Sequence, residues 1–320
     1  MIQVYCSGNL VADVQTKTLT QFLPVDQVAI VDEIELILGG NAANAAVCLA
    51  RMGVRASVIG RIGDDFFGQF VRAALAEAGV DTQMLMAQSG AKTAATVAAI
   101  DAEGRRRCAH TPGATGQFTA QDFDWSAIES DIHHAPADHA PFLHFASFFL
   151  LPAFDGPAAA QVLQRARSLG MRTSLDVCWD PTGQWAAALL PCLPHCDIVF
   201  PNQAEAYEIT QQDAPEAMAD WFLAKGVQLA VIKLGADGCL VKQQGGPALR
   251  VHGYAVSAVD ATGAGDAFAG GFLTAQVRGW DLETSARFAC ALAALSVTDF
   301  GAATAIHSRE QVLNFMQSRE

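Results

Sequence analysis

No stretch of this 320-residue chain approaches the ~20 consecutive apolar residues that a membrane-crossing helix needs. The longest candidate, Phe142 to Phe154, is interrupted by His144, Ser147 and Pro152. Basic residues are also few: 20 Lys and Arg stand against 33 Asp and Glu, a formal net charge of −13. Binding a nucleic-acid backbone needs a Lys/Arg stripe, and the one basic cluster, Arg105-Arg106-Arg107, reads as a solvated loop between turn formers. Charged residues make up 17% against 51% hydrophobic, which excludes a disordered chain. The start, Met-Ile-Gln-Val-Tyr, lacks the basic n-region of a signal peptide. The eight cysteines are too sparse for a secreted disulfide scaffold. Cys192-Leu-Pro-His195-Cys196 offers soft ligands without a second pair at zinc spacing, so buried free thiols are expected. A soluble cytoplasmic protein follows, with no nucleic-acid or membrane partner.

The length allows two domains of ~150 residues or one large one. Strand-like and helix-like runs alternate almost throughout. Ile2–Ser7, Ala56–Gly60, Phe142–Ala146, Thr173–Val177, Ile198–Phe200 and Leu229–Leu234 read as strands, and Leu240–Lys242 with Leu249–Tyr254 as a further pair. Ala42–Met52, Phe66–Ala78, Ala158–Leu169, Trp185–Leu193, Ala204–Ile209 and Ala217–Ala224 read as helices, as do Ala264–Arg278, Leu282–Val297 and Arg309–Gln317. Strands separated by helices imply βαβ units and a parallel sheet covered on both faces. Residues 14–37 and 81–110 instead alternate apolar and polar, as an antiparallel hairpin or small flap would. Such a flap could cover the carboxyl edge of the sheet, where open α/β sheets hold ligands.

Glycine concentrates in two places, Gly39-Gly40-Asn41-Ala42-Ala43-Asn44 and Asp260-Ala261-Thr262-Gly263-Ala264-Gly265-Asp266. Small residues at 263–265 open a helix whose first N–H groups lack intrahelical partners, and the dipole there favours an anion. Asp266 in the first turn could merely answer the dipole, but that leaves the small residues and Gly270-Gly271 unexplained. Two familiar phosphate devices are missing. The dinucleotide pattern G-x-G-x-x-G would need Gly where Phe268 stands, and Gly90-Ala91-Lys92-Thr93 has the wrong order for a Walker A loop.

Gly39-Gly40-x-x-x-Asn44 with Asp260-x-x-Gly263-Ala264-Gly265-Asp266 resembles the two signatures of the ribokinase (PfkB) family of carbohydrate kinases. Gly8-x-x-x-x-Asp13, Asn202-x-x-Glu205 and Lys233-Leu234-Gly235-x-x-Gly238 resemble further family motifs, in the family's order. The resemblance spans essentially the whole chain. It implies one domain over residues 1–320, a three-layer α/β/α sandwich on a mainly parallel sheet, with a small β-sheet lid from about 14–37 and 91–114. It also implies an ATP-dependent sugar kinase in which Asp266 is the base and Gly263, Ala264 and Gly265 form an anion hole. Asp13, Gly39, Gly40, Asn41 and Asn44 would bind the sugar, and Asn202, Lys233, Gly235 and Gly238 the nucleotide. Glu205 would organise Mg²⁺ through water, since Mg²⁺ sheds its waters reluctantly. Asp260, Thr262, Ser296, Asp299, Gly301 and Ala305 fall where relatives bind a monovalent cation such as K⁺.

Departures leave the substrate open. Asn41-Ala42 replaces the Lys-Gly typical of ribokinase, Val11 stands where it has Asn, and Lys233 where it has Thr. Arg107-Cys-Ala-His-Thr-Pro-Gly-Ala114 and Asp176-Val-Cys-Trp-Asp180-Pro181 are local variants too. A nucleoside kinase remains an alternative, with Phe22, Phe148 and Phe149 as candidate base shelves, although core packing also explains them. A catalytically silent ligand-binding regulator is a third reading. Exposed strand edges on the lid lead us to expect a homodimer.

Overall fold

The computed structural model describes residues 1–19, 26, 28, 30–31, 33–101, 106–133, 140–154 and 156–319. In chain order the first half contains β1 (Val4–Ser7), β2 (Val11–Leu19), β3 (Glu33–Gly39), α1 (Asn41–Arg51), β4 (Ala56–Gly63) and α2 (Phe66–Glu77). It continues with β5 (Leu85–Gln88), β6 (Ala94–Asp101), β7 (Arg106–Thr111), α3 (Trp125–Ile132), β8 (Phe142–Phe145) and α4 (Gly156–Ser168). The second half contains β9 (Arg172–Leu175), α5 (Ala186–Leu189), β10 (Ile198–Val199), α6 (Gln203–Thr210), α7 (Pro215–Ala224) and β11 (Leu229–Lys233). Last come β12 (Cys239–Gln243), β13 (Ala248–Val251), α8 (Ala264–Val277), α9 (Leu282–Ser296) and α10 (Arg309–Gln317).

Nine strands form one sheet in the order β13-β12-β11-β10-β9-β8-β1-β4-β5. Every pairing from β11 to β5 is parallel, and only the terminal β11-β12-β13 meander is antiparallel. The central strands β1, β8 and β10 are buried at every position because both faces are covered. Val4 and Cys6 of β1 enter one core layer with α1, α8 and α9, while Tyr5 enters the other with α4, α6 and α7. This is the three-layer α/β/α sandwich. Fully burying a Leu- or Phe-sized side chain is worth about 1.5–3 kcal/mol, so Phe272 on α8, wedged 5.5 Å from the Phe200 ring, fixes that helix firmly on the sheet.

A separate four-stranded sheet runs β3-β2-β6-β7. Within it each inserted segment forms the antiparallel pair expected of it, β2 with β3 and β6 with β7, and what the pattern did not foretell is that β2 joins the two by pairing with β6 in parallel. Period-two alternation is the same in both arrangements, so pattern alone could not separate them. Arg106 and Arg107 lie in β7, so these two residues of the basic cluster are strand where a loop was expected. Arg105, parts of the two flap segments and Phe22 lie outside the described residues. The expected helix Trp185–Leu193 is only the single turn of α5, since Pro191 cannot continue it. Strand β5, inside the segment 81–110 read as flap, instead pairs in parallel with β4 at the edge of the large sheet, and helix α3 was not expected. No helix among the described residues is long and apolar enough to cross a membrane.

Six cysteines are buried, Cys178 is partly covered and Cys108 is exposed. The thiols of Cys192 and Cys196 each donate to a main-chain carbonyl, of Gly156 and Ile198 respectively.

Candidate active site

The carboxyl ends of the parallel strands carry the chemistry-bearing residues. Asn9 follows β1, Asp176 follows β9, Asn202 follows β10, and Lys233 ends β11. Above this edge the N-termini of α1 and α8 come together. Gly263 caps α8 with φ +73°, a left-handed conformation that glycine takes without strain, and a Cβ there would overlap Ala302. The cap leaves the α8 first turn open. Gly265 N–H has no acceptor within the helix, and Ala264 N–H makes only a long 3.4 Å turn contact with the Ala261 carbonyl.

Asp266 stands in that turn and is 5% exposed. Its carboxylate accepts hydrogen bonds from Asn41 Nδ2 and Asn44 Nδ2, both at 2.8 Å. Burial pushes its pKa up to about 7, against the Asn44 and Asn41 donors and Lys233, which pull it down; the nearby Asp176 charge adds to the rise. A carboxyl poised near neutrality in a cleft is suited to accept a proton. Gly270 and Gly271, first read with the anion site, instead let α8 lie against α1 and α9. A Cβ on Gly270 would stand 3.0 Å from Cys48 Cβ, and one on Gly271 3.0 Å from Ala289 Cα.

Two cavities meet at Asn41, Gly263 and Asp266. The smaller, about 370 Å³, lies between the α1 N-terminus and the four-stranded sheet and takes in Asp13, Gly39, Gly40 and Asn44. A Cβ on Gly39 would overlap the Asp13 carboxylate, so these two residues share one spot of the wall. Strand register adds two residues the sequence did not single out: Thr96 lies opposite Asp13, and His110 opposite Thr96. Thr96 Oγ1 and His110 Nδ1 are 3.1 Å apart, and both line the cavity. Asn9 was also missed. Its Oδ1 accepts from Asn41 N–H (2.7 Å) and from Ser147 Oγ (2.8 Å), tying the start of α1 to the end of β1. Phe148 is buried in the core, in edge contact with Phe149, which in turn packs on Trp185, so neither ring lines this cavity.

The larger cavity, about 730 Å³, holds Asn202, Glu205, Lys233, Gly235 and Gly238, with apolar walls from Tyr254, Val256 and Val297. Asn202 and Glu205 form a reciprocal cap on α6: Asn202 N–H donates to Glu205 Oε2 (2.8 Å), and Glu205 N–H to Asn202 Oδ1 (2.9 Å). Glu205 is therefore buried, which raises its pKa, and is not the exposed helix carboxylate its sequence position alone would suggest. Lys233 Nζ donates to both oxygens of Asp176, at 2.9 and 2.7 Å. Burial works against its charge, but Asp176 and Glu205 outweigh it and hold the ammonium above the usual lysine range.

Beside α8, Asp260 accepts from Thr262 N–H (2.8 Å) and Gly301 N–H (3.1 Å), so these three cluster. The remaining expected cation ligands are engaged elsewhere. Ser296 Oγ donates to the Ala293 carbonyl, the Ala305 carbonyl accepts from Gln311, and exposed Asp299 accepts from Phe300 N–H. Among the described residues no group of three or more His, Cys, Asp or Glu side chains could hold a metal ion.

The model of the pfkB family carbohydrate kinases matches residues 1–309. The ribokinase of Haemophilus influenzae is 29% identical over 290 residues, covering 88% of each chain. The structure of Arabidopsis thaliana ribokinase, complexed with ribose and ATP, superposes with a TM-score of 0.84 over 99% of both chains at 23% identity. A Vibrio cholerae fructokinase variant, bound to fructose, ADP and potassium, gives 0.80 over 99% of this chain and 98% of that one at 24% identity. The match runs almost from end to end and takes in both cavities, and on that ground the chain belongs to the pfkB family of carbohydrate kinases, phosphotransferases that act on an alcohol group.

Proposed function

We propose that this kinase transfers the γ-phosphate of ATP to a hydroxyl of a sugar or sugar derivative, with Asp266 as the base. The observation that carries this reading is the meeting of two cavities at Asp266. An acceptor in the smaller one and a nucleotide in the larger one would face each other across the α8 N-terminus. Asp13 and Asn44 would orient the sugar hydroxyls, together with Thr96 and His110. Asp266 would take the proton of the attacking hydroxyl as the new O–P bond forms and the bond to ADP breaks. Phosphoryl transfer leaves the protein mainly positioning and charge stabilisation, and the N–H groups of the Gly263–Gly265 turn supply the latter. Removing one such donor costs about 3–4 kcal/mol in other enzymes. Bound beside Glu205, Mg²⁺ would neutralise phosphate charge.

The four-stranded sheet would act as the lid of a single domain spanning 1–320, since it walls the smaller cavity on one side. Asp260, Thr262 and Gly301 are the core of our proposed K⁺ site, with Ser296, Asp299 and Ala305 near it in sequence. Ile34 and Val97, 64% and 54% exposed on the outer face of the small sheet, support pairing of two copies there, because exposed apolar patches mark contact surfaces. A cytoplasmic location suits the reduced cysteines and the use of ATP. The test is ATP consumption with pentoses, hexoses, sugar acids and nucleosides. Asp266→Asn should lower kcat at least ~10²-fold while ATP still binds. Near-normal turnover would remove Asp266 from the mechanism.

A further inference from the structure

Lys233 stands in an unusual place. A Cβ built on Gly265 would lie 3.1 Å from its Nζ, so the ammonium abuts the opening turn of α8. Helix N-termini carry partial positive charge and repel cations. The Lys233 side chain is also only 12% exposed. Nothing in its own neighbourhood on β11 offsets these two costs. The compensation comes from Asp176, 57 residues away in sequence, on the loop after β9. It is itself 3% exposed and takes both oxygens to the one ammonium. His144, Cys178, Glu205 and Asp266 also stand within electrostatic reach of Lys233. Of these, none has a hydrogen bond to Nζ.

We infer that Asp176 is a positioning residue that holds the Lys233 ammonium against the α8 N-terminus, where it anchors the transferring phosphate of the nucleotide. The inference rests on the kinase reading above. Both residues line the larger cavity together with Gly263, Ala264 and Gly265. An ammonium has three donors, so Lys233 can keep a bond to Asp176 and give another to a phosphate oxygen. Protein kinases hold their phosphate-binding lysine by a carboxylate on another element in the same general way. Asp176 thus supplies, from across the sheet, the charge that lets a buried cation stay where a polyanion must arrive.

The experiment measures equilibrium binding of MgATP and of adenosine, with kcat and the KM for ATP, in the full chain carrying Lys233→Met, Asp176→Asn, Asp176→Glu, and the first two combined. Lys233→Met should weaken MgATP ~10- to 100-fold, the scale of a charge-assisted hydrogen bond. Adenosine, which has no phosphate, should change by no more than ~2-fold. Asp176→Asn should weaken MgATP and lower kcat in the same direction, Asp176→Glu should restore part of both, and Asp176→Asn should add nothing to Lys233→Met. Equal losses for adenosine and MgATP would mean that Asp176 serves only structure. Tighter MgATP binding in Asp176→Asn would make it a competitor of the phosphate. Either result overturns the inference, as does a double variant weaker than Lys233→Met by more than ~3-fold. If Asp176→Asn alone fails to fold with an unpaired buried lysine, the Lys233→Met and double variants still decide the matter. A wild-type chain that binds neither ligand would instead refute the kinase reading itself.

Discussion

Asp266 makes the electrostatics of the site measurable through pH. A base acts when deprotonated, so with its pKa raised from 3.8 to about 7 activity is full above that value and is lost as pH falls through it. The profile to compare is kcat/KM, which reports the ligand-free enzyme. About a tenth of the activity should remain one unit below the midpoint, and about a hundredth two units below. Asn41→Ala removes one 2.8 Å donor from the carboxylate. A hydrogen bond to a charged group contributes about 1.5–3 kcal/mol, and 1.36 kcal/mol corresponds to about one pKa unit. Asn41 is half-buried, which favours the lower end, so the acid limb should move up by about one unit. The assay is ATP consumption at subsaturating sugar from about pH 5.5 to 8.5. Comparing the two enzymes cancels ionisation of ATP itself. A wild-type profile flat across this range, or an unmoved limb in Asn41→Ala, would refute the assignment of the limb to Asp266.

Other outcomes follow from single features of the fold. Gly39→Ala should raise the sugar KM roughly tenfold while leaving the KM for ATP near wild type, because the new methyl displaces the Asp13 carboxylate; equal changes in both would point to a general distortion. If the Asp260 cluster holds a monovalent cation, replacing K⁺ by a bulky organic cation should lower kcat, and Asp260→Ala should abolish that dependence. A wild-type enzyme indifferent to the cation would rule the site out. Light scattering should give a dimer that Val97→Glu converts to a monomer; a wild-type monomer at working concentration would end the idea of pairing through the small sheet.

What could be read directly from the sequence was local. Glycines next to an Asp or Asn at a strand-to-helix turn flagged Gly39, Gly40, Asn44, Gly263, Gly265 and Asp266, because backbone conformation and helix-end chemistry are properties of a few consecutive residues. The resemblance to a family added Asp13, Asn202, Glu205 and Lys233. Asp176, Thr96 and His110 stayed hidden for the opposite reason. Asp176 matters only through a lysine two strands away, and Thr96 and His110 reach the cavity through a register set by non-local pairing. Glu205 shows a third case: its spacing from Asn202 was visible, yet the buried reciprocal cap that changes its environment appears only when α6 is packed.

The net charge of −13 looks hostile to ATP, yet the two act over different distances. Exposed charges farther apart than about 8 Å are largely screened at physiological ionic strength, so most surface carboxylates contribute little inside the cleft. What the phosphates would meet is Lys233 and the open N–H groups of α8, shielded from that screening by burial. The same burial acts on Asp266. The dipole of α8 favours its charge by at most ~1–2 kcal/mol, and two amide donors and Lys233 favour it further, but desolvation is the largest contribution and wins. Here the balance leaves Asp266 near neutrality, able to hold a proton and return it, beside donors that stabilise negative charge.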